Sequence, residues 1–399
     1  MIKTSNYNYL FSTVLAFTVV VLLYTTQTLS ISYKEALNVF VNNSVLSLIT
    51  NTSIYIFGQN DLALRLPFIV FYTLSVILMF KLTKDYFKYE RDRYISIFIF
   101  MILPGVISAS LLVNSAIVIT FCTLLYIYYY QKFKKHCYLL LFIYLFVDNS
   151  FVILYLAIFF FSLKNKDNRL IFLSLVLFLL SMSIYGLDTQ GKPRGFLVDT
   201  FAIYASVFSP FLFIYFIYSM YRASLKNEER TFTWYISITA LIVSLLFSFR
   251  QRVYIEDFAP YVVISLPFML KRYFHSYRVR LSEFRKFHKI SAIVIISMLL
   301  VNVFLTIVNK PLYTLLPDSK KHFAYKYHFV KELASELKKE KINYIFTDDE
   351  KLLMRLKFYN INSGADYFVS KRKFYNYDKE ISIEYYGKKL YSVYIKKLK

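Results

Sequence analysis

The sequence predicts a polytopic all-α membrane protein of about eleven transmembrane helices, followed by a small C-terminal α/β extracytoplasmic domain. Three observations predict it. First, 57% of the 399 residues are apolar, whereas soluble chains hold about 45–50% and a soluble core has too little interior to hide the excess. Second, apolar runs near the roughly 17–25 residues needed to cross a bilayer recur along most of the chain. Third, 48 Lys and Arg face 25 Asp and Glu, for a net charge of +23. In a chain of apolar runs such an excess reports orientation rather than a nucleic-acid partner.

The runs fall at residues 9–24, 66–82, 94–112, 115–130, 138–147, 151–163, 170–185, 201–221, 234–249, 261–270 and 290–308. The first is longer than a signal-peptide apolar core and lacks a small-residue cleavage site, so it reads as a span. Asp148-Asn149-Ser150 divides the fifth run from the sixth, giving two thin spans or one broken hairpin. An Asp at that depth is a functional candidate by default; if the hairpin reaches the surface it is only a turn. With a cytoplasmic N-terminus, loops on one side collect roughly 22 Lys and Arg and membrane-proximal loops on the other roughly 6. With that orientation, the alternation and an odd number of spans place the last stretch, from Lys310 to Lys399, outside the cytoplasm, and a miscount by one would place it inside. The basic stretch 271–289 then reads as a topogenic loop beside anionic lipid.

The tail changes character. Phe329, Val330, Leu333, Ala334 and Leu337 form a helical apolar stripe. Residues 342–346 read as a strand, 350–358 as a second helix, and 381–386 with 390–395 as a hairpin across Gly387-Lys388-Lys389. Thr347-Asp348-Asp349-Glu350 joins a strand to a helix, where an N-cap with an acidic first turn accounts for it better than a metal motif.

Composition also limits the chemistry. With 7 Gly and no GxGxxG or Walker pattern, ATP-driven transport by this chain is not expected. Cys122 and Cys137 make neither a disulfide framework nor a CxxC site. His136, His275 and His288 fall in cytoplasmic loops and His322 and His328 in or near the tail, which disfavours a His triad or zinc site at the outer face. The ionisable groups expected there are Lys34, Glu35, Asp61, Arg65, Asp148, Asp188, Lys192, Arg194, Asp199, Arg250, Arg252, Glu256 and Asp257. A carboxylate is therefore the expected general base.

The first outer loop, about residues 26–64, is too long for a connector. It mixes apolar residues with Asn42, Asn43, Ser44, Ser47, Thr50 and Asn51, the pattern of a helix or helix pair in the interface plane. It ends in Phe57-Gly58-Gln59-Asn60-Asp61-Leu62-Ala63-Leu64-Arg65-Leu66-Pro67. This FG-x-ND-x-ALRLP segment ahead of the second span resembles the signature of the ArnT/PMT-like glycosyltransferases (family 39 type, GT-C fold). Segment 252–260 and the exported α/β tail resemble that layout too. The resemblance implies a transmembrane domain over residues 1–309 and an extracytoplasmic domain over 310–399. It implies a hexosyl- or pentosyltransferase of the inner (plasma) membrane. Such an enzyme takes a sugar from a polyprenyl-phosphate carrier to a lipid, glycan or protein acceptor.

Three positions depart from the family pattern. Lys34 stands where an Asp is usual, ahead of Glu35. Asn42-Asn43-Ser44-Val45-Leu46 replaces a basic-Pro-Pro-Leu segment, and Asn114 replaces an Asp. Transfer from a phosphate carrier needs a base for the acceptor hydroxyl and cations for the departing phosphate. Glu35 is the candidate base. Lys34, Arg65, Arg250 and Arg252 are the candidate phosphate ligands, Arg being suited to bidentate contacts, and Asp61 completes the substrate-binding set. Each has a plainer reading: Glu35 pairs with Lys34 or caps its helix, and Arg65 anchors the span at headgroup level. Glu256 with Asp257 offers a divalent-cation pair or a solvated loop. No cofactor is otherwise expected. A catalytically lapsed relative that binds lipid-linked sugar or scaffolds the envelope is a second expectation. A transporter or flippase is a third, disfavoured by the absence of a repeat.

Overall fold

The structure is a computed structural model that describes residues 4–186, 195–225 and 230–398. Among these, four helices are long and apolar enough to cross a membrane: Tyr7–Thr28, Asp61–Leu82, Asn168–Tyr185 and Ser282–Ile307. The count rises to six if each bent pair, Glu90–Met101 with Pro104–Leu111 and Leu197–Phe208 with Pro210–Ser224, is one span. These six coincide with expected runs and are compatible with a multi-pass membrane protein. Of the other expected spans, toward about eleven, the run 115–130 forms one unbroken helix of 18 residues, Ala116–Phe133, which is not among those four, and the rest are short or broken. Tyr138–Tyr144 is 7 residues, Phe151–Asn165 is 15 and Phe232–Ser248 is 17. The run 261–270 is cut between Ile255–Val263 and Leu266–Val279, where Pro267 starts a new helix.

The bends have local causes. Pro104 opens the second arm of the first pair, which turns by 49°. The second pair turns by 104° at Ser209, whose φ of +81° no helix accommodates, just before Pro210. Close approach accounts for Gly105: a Cβ there would sit 2.5 Å from Val207 Cγ1.

The chain forms two compact units. One comprises Met1–Val20, Phe68–Ser110 and Asn114–Val303. In it, Phe151–Asn165 packs along Asn168–Tyr185 and Phe232–Ser248. Buried hydroxyls cross-link this helical unit through main-chain carbonyls. Tyr261 donates to Ser150 O at 3.0 Å, Ser237 to Tyr261 O at 2.7 Å, Tyr155 to Leu141 O at 2.9 Å and Tyr144 to Cys122 O at 2.6 Å. In an apolar setting, carbonyls near helix ends, such as those of Leu141, Ser150 and Tyr261, are met by such donors.

The other unit comprises Val21–Pro67, Leu111–Val113 and Phe304–Lys399. It carries a five-stranded sheet in the order β2-β1-β3-β5-β4, made of β1 Tyr344–Thr347, β2 Asn362–Ser363, β3 Tyr367–Ser370, β4 Lys379–Tyr385 and β5 Lys388–Lys397. β1 runs parallel to β2 and β3, and β5 runs antiparallel to β3 and β4. The hairpin turns at Tyr386 and Gly387, both with positive φ (51° and 75°), the geometry of a primed two-residue turn. Helix Val330–Lys339 lays Val330, Leu333, Ala334 and Leu337 into a core with Ile345, Val369, Val393 and Ile395.

The first helix, β1, the second helix (Glu350–Lys357) and the hairpin lie where the sequence predicts them; β2 and β3 were not foreseen. The expected division at 309/310 follows the sequence change in the tail. The compact grouping differs because Ile31, Ala36 and Leu64 share a buried cluster with Phe358, which draws the first loop into the tail's unit.

Leu333→Ala or Leu337→Ala is expected to destabilise this unit by about 2–5 kcal/mol. Exposed Lys339→Ala is expected to stay within about 0.5 kcal/mol. Thermal unfolding of the detergent-solubilised protein checks both.

Candidate functional site

The first loop folds as the anticipated helix pair. Ser32 caps Tyr33–Phe40 with a full capping box: Glu35 N donates to Ser32 Oγ at 3.3 Å and Ser32 N to Glu35 Oε2 at 2.8 Å. Val45–Phe57 starts at Ser44, whose hydroxyl accepts from Ser47 N at 3.2 Å, and ends at Gly58, where φ is +81°. The second helix inverts ordinary polarity. Ser47, Thr50 and Ser53 are buried, whereas Leu48, Tyr55, Ile56 and Phe57 are exposed. Asn38 Nδ2 bonds Thr50 Oγ1 at 2.9 Å and ties the two helices together.

Several motif residues after Phe57 have specific physical tasks. Gln59 donates to Phe358 O at 2.6 Å. Asn60 caps the helix Asp61–Leu82 by accepting from Ala63 N at 2.7 Å. Pro67 sits inside that helix without an N–H, so the Ala63 carbonyl loses its helical donor. Ser53 Oγ supplies one at 2.6 Å.

Arg65 is fully buried. Its guanidinium donates to Leu29 O (3.2 Å), Ser30 O (3.0 Å) and Glu35 Oε2 (3.0 Å), with Asp61 Oδ1 at 3.8 Å. Glu35 is 2% exposed. Besides Ser32 N and Arg65, it accepts from Val113 N at 3.2 Å on Oε1. Asp61 accepts from Tyr359 Oη at 2.7 Å and pairs with Lys331 at 2.9 Å. The arrangement is a closed junction in which Glu35 is both cap and counter-charge; its anticipated partner Lys34 lies on the exposed face, and the ion pair is with Arg65.

Sequence reasoning missed the tail residues that complete the junction. Arg355 Nε donates to Ile31 O at 2.8 Å and Nη2 to Lys326 O at 2.8 Å; burial draws its guanidinium down to about 10. Tyr359 Oη also accepts from Ile31 N at 3.0 Å, and Ser30 N donates to Tyr327 O at 2.8 Å. Arg355 lies in a Lys-rich helix, so nothing in its sequence neighbourhood set it apart.

Arg250 and Arg252 are exposed, ahead of helix Ile255–Val263, whose first turn holds Glu256 and Asp257. Asp148 is a turn residue accepting from Ser150 N at 2.9 Å, and Asn114 accepts from Ala116 N at 3.1 Å. Asp349 caps Glu350–Lys357 through Leu352 N at 3.1 Å, the helix-start role read from sequence. Asp188, Lys192 and Arg194 lie outside the described residues. Among the described residues no three His, Cys, Asp or Glu converge as a metal centre would need.

Next to the junction's strand of backbone lies a histidine cluster. His322 Nε2 bonds Asn309 O at 3.0 Å and its Nδ1 accepts from Ala324 N at 3.1 Å, which fixes the neutral ring. His328 Nδ1 bonds Tyr313 Oη at 2.8 Å. Burial, reinforced by Lys310 and His322, holds His328 down to about 3.

Glu35→Gln or Arg65→Met alone is expected to cost about 3–5 kcal/mol by stranding a buried charge. The double replacement is expected to cost less than the sum of the two, as read by thermal unfolding. Ser53→Ala is expected to cost about 1–3 kcal/mol because it leaves the Ala63 carbonyl bare. His328 has a folded value below its ordinary 6.5, so the unfolded chain takes the proton first. Its contribution is complete above pH 6.5 and is lost as pH falls toward 3, by up to about 1.4 kcal/mol per unit. Glu332, lowered by Tyr385 and Lys310 against burial, adds stability that is lost as pH falls through its own folded value. His328→Gln is expected to flatten the decline between pH 6.5 and 4.5 in unfolding curves taken across that range. No protein-family model matches the chain, and no curated protein matches it.

Proposed function

We propose that this is a membrane glycosyltransferase-like protein of the GT-C type. It moves a sugar from a polyprenyl-phosphate carrier to a lipid, glycan or protein acceptor on the extracytoplasmic face of the plasma membrane. The observation that carries the reading is the Phe57–Pro67 motif at the end of a helix pair with polar residues turned inward and apolar residues outward. Such a pair lies in a membrane interface, where a lipid-linked sugar presents its head. The charge asymmetry sets the N-terminus in the cytoplasm and the tail outside it.

In the transfer, the acceptor oxygen bonds to the sugar's anomeric carbon as the bond to carrier phosphate breaks. The phosphate leaves with the electron pair, and a base takes the hydroxyl proton. Glu35 is the base in this reading. Lys34, on the exposed face, meets the phosphate, while Arg65 and Asp61 hold the Glu35 side of the site in place.

A second reading has its own observation. Glu35 already accepts from Ser32, Arg65 and Val113 and is nearly closed to solvent. That favours a relative which binds the lipid-linked sugar, or scaffolds an envelope assembly, without transferring the sugar.

Mass spectrometry of envelope glycans and glycolipids, with and without the gene, tests the proposal. A sugar lost on deletion and restored by wild type supports it. Unchanged glycans, together with no binding of labelled carrier in proteoliposomes, overturn both readings. Binding without turnover selects the second. If transfer occurs, Lys34→Gln or Lys34→Met is expected to raise the donor KM about tenfold or more, the worth of a charge-assisted phosphate contact. Being exposed, these changes leave unfolding little altered.

A further inference from the structure

We propose a binding site for an anionic phospholipid in the helical unit, separate from the junction around Arg65 and independent of the transfer reading. Two neighbouring cavities carry the proposal. The first, about 430 Å³, is lined by Arg222, Arg272, Arg280, His275 and His288, with Tyr215 and Tyr218. No acid stands among its described lining residues. The second, about 590 Å³, is mostly apolar, with Ile95, Ile99, Leu212, Leu270, Ile293 and Ile296 in its walls. Both volumes fall in the range of ligand sites, about 300–1,000 Å³.

Tyr215 and His288 line both cavities, so the basic and apolar spaces share a wall. Arg272 is held in place by donating to Ser219 O at 3.0 Å. Tyr273 stacks on the His288 ring at 4.4 Å and donates to His288 O at 3.0 Å, fixing that ring as well. His288 Nε2 is nevertheless buried without a hydrogen-bond partner, and a phosphate oxygen supplies one. The acid in the second cavity's described lining, Asp92, is paired with Arg278. The net field across both spaces is therefore positive.

The occupant must present an anion to three arginines and hydrocarbon to the isoleucine wall. A soluble phosphate satisfies only the first demand, and a neutral lipid only the second. One wall belongs to Ser282–Ile307, whose one buried residue is Leu299. A chain lying in the second cavity thus continues into the surrounding bilayer. A phospholipid with an anionic head meets every condition, the head among Arg222, Arg272 and Arg280 and an acyl chain along Ile95, Ile293 and Ile296.

The test uses the full-length protein in neutral detergent, titrated with phosphatidylglycerol, phosphatidylcholine or inorganic phosphate. Native mass spectrometry and thermal shift are the readouts. Phosphatidylglycerol is expected to give a retained adduct and a higher Tm, and the other two probes neither. Arg222→Gln with Arg280→Gln is expected to weaken phosphatidylglycerol at least tenfold without changing the lipid-free Tm. Ile293→Trp, which fills the apolar cavity from an exposed position, is expected to weaken it as well, and keeps the test valid if the arginine variant does not fold. Equal binding of phosphatidylcholine, an equal response to inorganic phosphate, or unaltered phosphatidylglycerol binding in the variants that fold would overturn the proposal.

Discussion

A guanidinium with no access to water is the constraint around which the smaller unit is organised. Isolated, a buried charge is prohibitively costly. Arg65 is tolerated because two main-chain carbonyls, from Leu29 and Ser30, and one carboxylate, from Glu35, converge on it. Those carbonyls belong to the segment between the first span and the Tyr33–Phe40 helix, which has no regular structure of its own. The arginine replaces the hydrogen bonds that a helix or strand would have supplied there. Arg355 does the same for Ile31 from the tail. Two arginines far apart in sequence therefore hold three consecutive residues of one irregular strand.

Tyrosine plays the matching part in the helical unit. Some rings there, such as Tyr138, Tyr218 and Tyr254, are exposed. Yet Tyr72, Tyr144, Tyr155 and Tyr261 are buried, each with its hydroxyl on a carbonyl of another segment. A helix that breaks in an apolar setting leaves carbonyls with no water to meet them. A long, mostly apolar side chain ending in one donor meets that need with little polar surface.

The legibility of the sequence followed from the range of the interactions involved. The tail's first helix, its hairpin and the Asp349 cap depend on residues within a few positions of each other, and periodicity or turn chemistry exposes them. β2 and β3 are two and four residues long. They are strands only because β1 and β5 lie beside them, which no local pattern records. At the junction, Glu35, Asp61 and Arg65 were legible as unusual charges, and the cap at Glu35 was among the readings. Their distant partners Val113, Lys331 and Tyr359 lie far along the chain, so the closure of Glu35 was not visible. The spans divide in the same way: apolar length is written in composition, whereas the break at Ser209 depends on a backbone angle.

The bond between Ser53 and the Ala63 carbonyl makes positions 53 and 67 a single unit of inheritance. While proline occupies 67, the carbonyl four residues earlier is free, and a hydroxyl from the neighbouring helix is the group that seats there. Any residue with an N–H at 67 would reclaim that carbonyl for the helix and leave the buried Ser53 hydroxyl with nothing to donate to. An apolar residue at 53 would instead leave the buried carbonyl without a donor. Neither change is neutral alone, yet made together they restore a consistent set of hydrogen bonds with the loop no longer tethered. A proline that elsewhere bends a helix here serves as the receptor for a loop, and sequences that drift at one of these sites should be read at the other.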